Sequence, residues 1–367
     1  MNNLPFFTPF SLKSLQLKNR FVMAPMTRSF SPGGIPTGDV AAYYRRRAEG
    51  QVGLILTEGT VIDRPASAGN KAYPHFYGDE ALAGWQRVVD EVHSAGGRIG
   101  PQLWHVGVVQ PGGEDPLPQE IFEGPSGLSG AGESVGRTMT DEDIADTIAA
   151  FASAAGNAKA LGFDMAEIHG AHGYLIDQFF YNLTNHRTDK YGGATLAERT
   201  RFGAEVVRAV RASVGEDFVI CLRLSQFKIP NFDFKQAASP SELESWLAPL
   251  SEAGVDIFHC SQRRFWEPEF EGSDLNFAGW AKKISGKTTI TVGSVGLSGE
   301  FIGALRQGET SQPAPLDELQ RRFDRGDFDL VAVGRALISD PEWVVKEQND
   351  QTDLLKGYSK ESLATLI

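Results

Sequence analysis

Eight short, nearly continuous apolar runs recur along this chain, at residues 20–24, 53–57, 98–104, 163–169, 218–224, 255–260, 288–292 and 330–333. They lack the alternation of a half-exposed strand and read as parallel strands buried on both faces. Amphipathic helical patterns separate them, at 39–49, 79–95, 140–161, 195–214, 239–253, 276–284, 316–325 and 341–348. Punctuation agrees. Thr140-Asp141-Glu142-Asp143 offers a cap and acidic residues suited to a helix start. Pro240 follows Ser239 at a first turn, and Gly96, Gly162 and Gly254 end helices just before the next run. The alternation predicts an α/β fold, a single (β/α)8 TIM barrel, with residues 1–367 forming one domain. An open doubly wound sheet would want a G-x-G-x-x-G turn after an early strand; none follows the first or second run.

Charge narrows the partners. With 35 Lys+Arg against 47 Asp+Glu the chain carries a formal −12. That balance argues against nucleic acid or an anionic membrane, because neutralising phosphates needs clustered Lys and Arg. No run approaches the ~18 apolar residues of a membrane helix. No basic stretch leading into an apolar one opens the chain. Cys221 and Cys260 both lie within apolar runs, where buried, reduced thiols are expected. These features point to the cytoplasm.

Two segments exceed a minimal barrel. Residues 106–137, rich in Gly, Pro and acidic residues, follow the third run and read as an active-site cover loop. Residues 308–315, in the helical layer before the eighth run, read as a surface excursion.

The C-terminal ends of barrel strands face the active site. Here they supply Pro25-Met26-Thr27-Arg28, Glu58-Gly59-Thr60, Gln102-Leu103-Trp104-His105, His169 to Tyr174, Arg223, Ser261, Gly293-Ser294 and Gly334-Arg335. No lysine lies inside a run, which weakens a Schiff-base reading, and no carboxylate pair suggests glycoside hydrolysis. His169 and His172 leave three readings open: metal ligands beside Glu167, satisfied structural groups, or two imidazoles donating to one substrate oxygen. A metal would need a third ligand from another strand, where Asp and Glu are scarce. Gly293-Ser294 and Gly334-Arg335, on the last two strands, suit a phosphate, with exposed N–H groups and a fixed cation. Trp104, two residues past Gln102, faces the same side and either walls the pocket or packs its rim.

With these motifs in place, the sequence resembles the Old Yellow Enzyme family over nearly its whole length. The resemblance rests on Lys18-Asn19-Arg20, Ala24-Pro25-Met26-Thr27-Arg28, Gln102-Leu103-Trp104-His105, His169-Gly170-Ala171-His172-Gly173-Tyr174-Leu175, the run from Asn185 through Arg187-Thr188-Asp189-Lys190-Tyr191-Gly192-Gly193, and Val333-Gly334-Arg335. With two cysteines and this length, the extra cysteines and second domain of the iron–sulfur members are not expected. The resemblance implies an FMN-dependent ene-reductase that takes hydride from NADH or NADPH and passes it to the β carbon of an enone or nitro compound. Other readings are a flavin-dependent dehydrogenase of another small substrate and a flavin-binding barrel without turnover. It further implies Pro25, Met26 and Thr27 along the isoalloxazine, with the Thr27 hydroxyl near O4, and Gly59, where alanine is frequent in the family, at the ring edge. Gln102 would bind the pyrimidine side and Arg223 N1 and O2. Gly293, Ser294, Gly334 and Arg335 would hold the phosphate. His169 and His172 would bind the substrate oxygen beside Trp104, with Tyr174 supplying a proton. A monomer or homodimer is expected. The loops at 228–236 and 262–272 match no general family pattern and leave the substrate open.

Overall fold

A computed structural model of the protein describes residues 5–109, 118, 121–229, 231–299, 303 and 308–367. Its parallel strands are β1 (Phe21–Met23), β2 (Leu54–Val61), β3 (Ile99–Trp104), β4 (Met165–His169), β5 (Val219–Ser225), β6 (Ile257–Ser261), β7 (Thr288–Val292) and β8 (Leu330–Val333). They pair in sequence order, and β8 returns to β1, so among the described residues these strands form a closed barrel. The apolar runs therefore correspond to the barrel staves. Strand β2 runs further than its apolar run because pairing with β3 resumes at Gly59 after an irregularity past Leu56.

Alternation along each strand divides the interior from the outer layer. Val22, Leu54, Leu56, Met165, Val219, Cys221, Ile257, Ile290, Leu330 and Ala332 form one buried cluster inside the barrel. Their neighbours Phe21, Ile55, Ile220, Leu222, Phe258 and Val331 instead pack outward against the helices. A hairpin of Phe10–Leu12 with Leu15–Leu17 adds Leu15 and Leu17 to the inner cluster. The interior residues of β3, β4, β5 and β6 then become polar towards their C-terminal ends, so the same parity that fills the core builds a polar floor.

The helical patterns are largely continuous helices. Thr140 and Asp143 make a reciprocal capping box at the start of Asp141–Ala160, and Gly254 closes Pro240–Ala253 in the left-handed region. The pattern at 195–214 is instead two helices, Leu196–Arg199 and Arg201–Val214. The Thr200 hydroxyl donates to Leu196 O, and its N–H reaches Ala197 O, tightening the turn to i→i+3.

Part of the expected cover, residues 110–117 and 119–120, lies outside the described residues. Its remaining parts form a small roof: Val106 and Phe122 cluster with Trp104, and Val109, Ile121 and Tyr174 pack alongside. Glu123–Gly124 pairs with Arg137–Thr138. Buried Glu123 accepts from Arg64 at 2.9 Å, lies 3.4 Å from His105 Nε2 and also meets Arg137. The segment 308–315 is not merely a surface excursion: Ser311 is buried and pairs with Tyr358. No helix among the described residues is long and apolar enough to cross a membrane.

Candidate active site

Gln102, Glu167, Arg223 and His259 share interior parity on four successive strands, and all four are buried. Gln102 Nε2 donates to Glu167 Oε1 at 2.7 Å, and His259 Nδ1 lies 2.6 Å from Glu167 Oε2. Burial alone would raise the Glu167 pKa, but His259, Arg223 and Gln102 outweigh it and draw it down to about 2. Burial lowers the His259 pKa despite that carboxylate. The pair is therefore an ionised Glu167 accepting from a neutral imidazole. The Cys221 thiol also meets Glu167 at 3.4 Å. Burial and the Glu167 charge push its pKa well up, so it stays a thiol donating to the carboxylate. Glu167, Cys221 and His259 gather their potential ligand atoms within 4.8 Å. That closeness is accounted for by these hydrogen bonds.

Above this floor the predicted substrate residues converge. The rings of His169 and Trp104 stack at 6.1 Å, and Tyr174 stands edge-on to both, at 5.0 and 4.8 Å. His172 is edge-on to His169 at 5.2 Å. The Ala171 N–H donates to His169 Nδ1 at 3.3 Å, which leaves Nε2 to carry the imidazole proton. Burial, aided by Arg223, lowers the His169 pKa to about 3 and that of His172 well below its ordinary value. Both rings are neutral at physiological pH. Burial raises the Tyr174 pKa to about 12, so its hydroxyl keeps its proton.

His172 departs from the expectation in detail: its Nε2 lies 2.8 Å from Ser261 Oγ. A substrate oxygen must use its other nitrogen or replace the serine hydroxyl. His172 also adopts φ +64°, the left-handed region that is costly for a side chain with a Cβ. Its N–H donates to Ser225 Oγ at 2.9 Å, and Phe227 stacks on its ring at 5.3 Å. Sequence reasoning placed Ser261 at a strand end without assigning it a role, and it missed Ser225 and His259. Strand parity was the available signal for all three.

Across the mouth, Ser294 and Arg335 come together: Arg335 Nη2 reaches Ser294 Oγ at 3.4 Å and Gly299 O at 2.7 Å, and Nη1 reaches Ser311 Oγ at 3.3 Å. Gly293, at φ +144°, lets the loop after β6 approach, since a Cβ there would lie 2.6 Å from Gln262 O. Gly334 faces Met26, whose Sδ would be 3.6 Å from an added Cβ. Pro25 and Met26 are half-buried and Thr27 is exposed at the end of β1.

Gly59 has a steric reason to lack a side chain: a methyl there would meet Trp104 Cε3 at 2.5 Å. Trp104 is backed by Tyr73, His169 and Tyr174 and cannot recede freely. Gly59→Ala is expected to lower stability to chemical denaturation by about 1–3 kcal/mol, the usual range for overpacking. An unchanged denaturation midpoint would mean the indole yields without cost.

Residues 5–353 match the family described as the NADH:flavin oxidoreductase / NADH oxidase family. The chain is 34% identical to 12-oxophytodienoate reductase 7 of Oryza sativa subsp. japonica, over 93% of this chain and 86% of that protein. It superposes on morphinone reductase in complex with tetrahydroNAD with a TM-score of 0.78 and 30% identity, covering 98% of this chain and 94% of that one. The old yellow enzyme homologue from Zymomonas mobilis gives a TM-score of 0.77 at 25% identity, over 98% and 96% of the two chains.

Proposed function

Since the chain belongs to the NADH:flavin oxidoreductase / NADH oxidase family, that of the Old Yellow Enzymes, we propose a role for each residue at the barrel mouth. The protein is an FMN-dependent ene-reductase that draws on NAD(P)H and acts on C=C bonds of small molecules. FMN, when bound, supplies the hydride chemistry; the protein binds, orients and polarises.

The donor set fits that cofactor. Arg223 Nε is buried with no hydrogen-bond partner among the described residues. A guanidinium that cannot lose its proton suits the anionic edge of a reduced flavin. The ionised Glu167 only accepts, so Gln102 turns its NH2 towards it and keeps Oε1 for a ring N–H. Pro25, Met26, Thr27 and Gly59 line the ring, and Gly293, Ser294, Gly334 and Arg335 hold the phosphate. The neutral His169 presents Nε2–H to the substrate oxygen, His172 assists, Trp104 walls the pocket and Tyr174 delivers the proton to the α carbon. The cluster of His169, His172, Tyr174 and Trp104 above a floor of Gln102 and Arg223 is the observation that carries this reading. We also assign residues 1–367 to one FMN-binding domain, acting as a monomer or homodimer on an enone or nitro compound. Buried, free Cys221 and Cys260 suit a reducing cytoplasm.

Anaerobic reduction of the yellow protein by NADPH or NADH, followed by reoxidation with cyclohexenone or a nitroalkene, tests the function. A protein that releases no FMN, or whose reduced form ignores both acceptors, overturns it. For the phosphate site, Arg335→Ala is expected to weaken FMN binding by about one to two decades, the worth of a charge-assisted contact of roughly 1.5–3 kcal/mol. Unchanged FMN affinity at moderate salt would remove Arg335 from that site.

A further inference from the structure

The loop after β5 carries a lysine that the chemistry above does not use. Lys228 Nζ lies 2.5 Å from Asp177 Oδ1, and neither side chain has solvent exposure. A fully buried ion pair is weak evidence of stabilisation, because desolvating both charges offsets much of their attraction. Its placement is more informative.

The second carboxylate oxygen of Asp177 accepts the Gly173 N–H at 2.7 Å. The next side chain, Gln178, donates from Nε2 to Gly173 O at 2.8 Å and to Val108 O at 2.9 Å, and its Oε1 accepts the Val108 N–H at 3.0 Å. Both backbone groups of Gly173, the residue between His172 and Tyr174, are therefore held by adjacent side chains of the helix Leu175–Phe180. Gln178 also ties the segment after β3 to the same turn.

Lys228 holds that turn from the other side. Its backbone forms a parallel bridge with His172, and the Ile229 N–H reaches His172 O at 3.4 Å. Phe227, its neighbour, stacks on the His172 ring. A left-handed histidine persists only where its surroundings over-determine it, and this loop supplies much of that constraint. The Lys228 ammonium lies 5.8 and 5.7 Å from the Tyr181 and Phe234 rings, so the cation is lodged between two segments that flank the turn.

We propose that Lys228 and Asp177 are positioning residues: their buried pair clamps the loop after β5 to the helix after β4 and so sets the spacing of His172 and Tyr174 for the substrate. The inference rests on the roles assigned above to those two residues. It makes Lys228, at the start of a loop that matches no general family pattern, part of the reaction's geometry.

The test uses the FMN-loaded enzyme carrying Lys228→Met together with Asp177→Leu, an apolar pair of similar volume that avoids a lone buried charge. The expected result is retained flavin, NADPH reduction within about threefold of the parent, and enone reoxidation slower by about ten- to a hundredfold, the size that small misplacements produce. Affinity for para-chlorophenol, read from its long-wavelength band with the oxidised flavin, should fall about tenfold. Parent-like reoxidation and phenol affinity would overturn the proposal. So would an equal fall in both half-reactions, which marks a merely structural pair.

If the double variant loses flavin, Ile229→Pro decides the matter. It removes the N–H that reaches His172 O, at a position 39% exposed, and stiffens the backbone there while both members of the ion pair stay in place. Phenol affinity should drop at least about threefold while reduction by NADPH holds; no drop overturns the proposal. The parent and Tyr174→Phe, run alongside, separate the two levels. A parent without phenol band or enone turnover refutes the site assignment itself, whereas a working parent matched by the variants refutes only the clamp.

Discussion

Tyr174→Phe is expected to slow reoxidation of the reduced enzyme by an enone about 10²–10⁴-fold, the usual contribution of a positioned general acid. Reduction by NADPH should be nearly unchanged, since it needs no proton from this residue. The reasoning is electrostatic. Burial, with Tyr73 nearby, holds the phenol pKa at about 12, so the proton is present throughout the neutral range. The ring is fixed edge-on to Trp104 and His169, which keeps the hydroxyl at the mouth. Loss of the hydroxyl leaves that packing intact. Nitroalkenes, which yield a more stable anion, should suffer less than enones. Stopped-flow measurement of each half-reaction decides: slowed reduction with normal enone turnover would assign the proton to another group.

The second large effect concerns the two imidazoles. Changing both His169 and His172 to Ala is expected to weaken phenol binding to the oxidised enzyme by about 10²-fold or more. Hydrogen bonds to an anionic oxygen are worth roughly 1.5–3 kcal/mol each. The charge-transfer band of a stacked phenolate should fade in parallel. The structure also predicts a pH signature. Burial holds His169 near pKa 3 and His172 well below its ordinary value, so neither ring titrates near 6.5. Phenol affinity in the parent should follow the ionisation of the phenol alone, without an inflection near 6.5. Such an inflection, or a double variant binding phenol as tightly as the parent, would show that the oxygen is held elsewhere. Because His172 Nε2 is engaged by Ser261, His169→Ala should cost more than His172→Ala.

Much of the site was legible because its information is local. A residue's parity on a strand decides whether it faces the barrel interior, and its distance from the strand's end decides how near the mouth it stands. Gln102 with Trp104, and Glu167 with His169, could be placed by counting alone. Gly59 was legible as a glycine in an unusual place; the reason, an indole 2.5 Å from where a methyl would sit, was not.

The eight apolar runs and their capped helices determined a closed barrel, and with it the roster of residues at its mouth. Only the tertiary structure decided who partners whom: Glu167 with His259, 92 residues away, His172 with Ser261, 89 away, and Lys228 with Asp177, 51 away. Secondary structure follows from periodicities of 2.0 and 3.6 residues, which a chain displays along its length. Pairings between strand ends depend on how the barrel closes and on which loop folds over which turn. No short window of sequence contains that information, and burial then turns those pairings into a neutral His169, an ionised Glu167 and a clamped turn at Gly173.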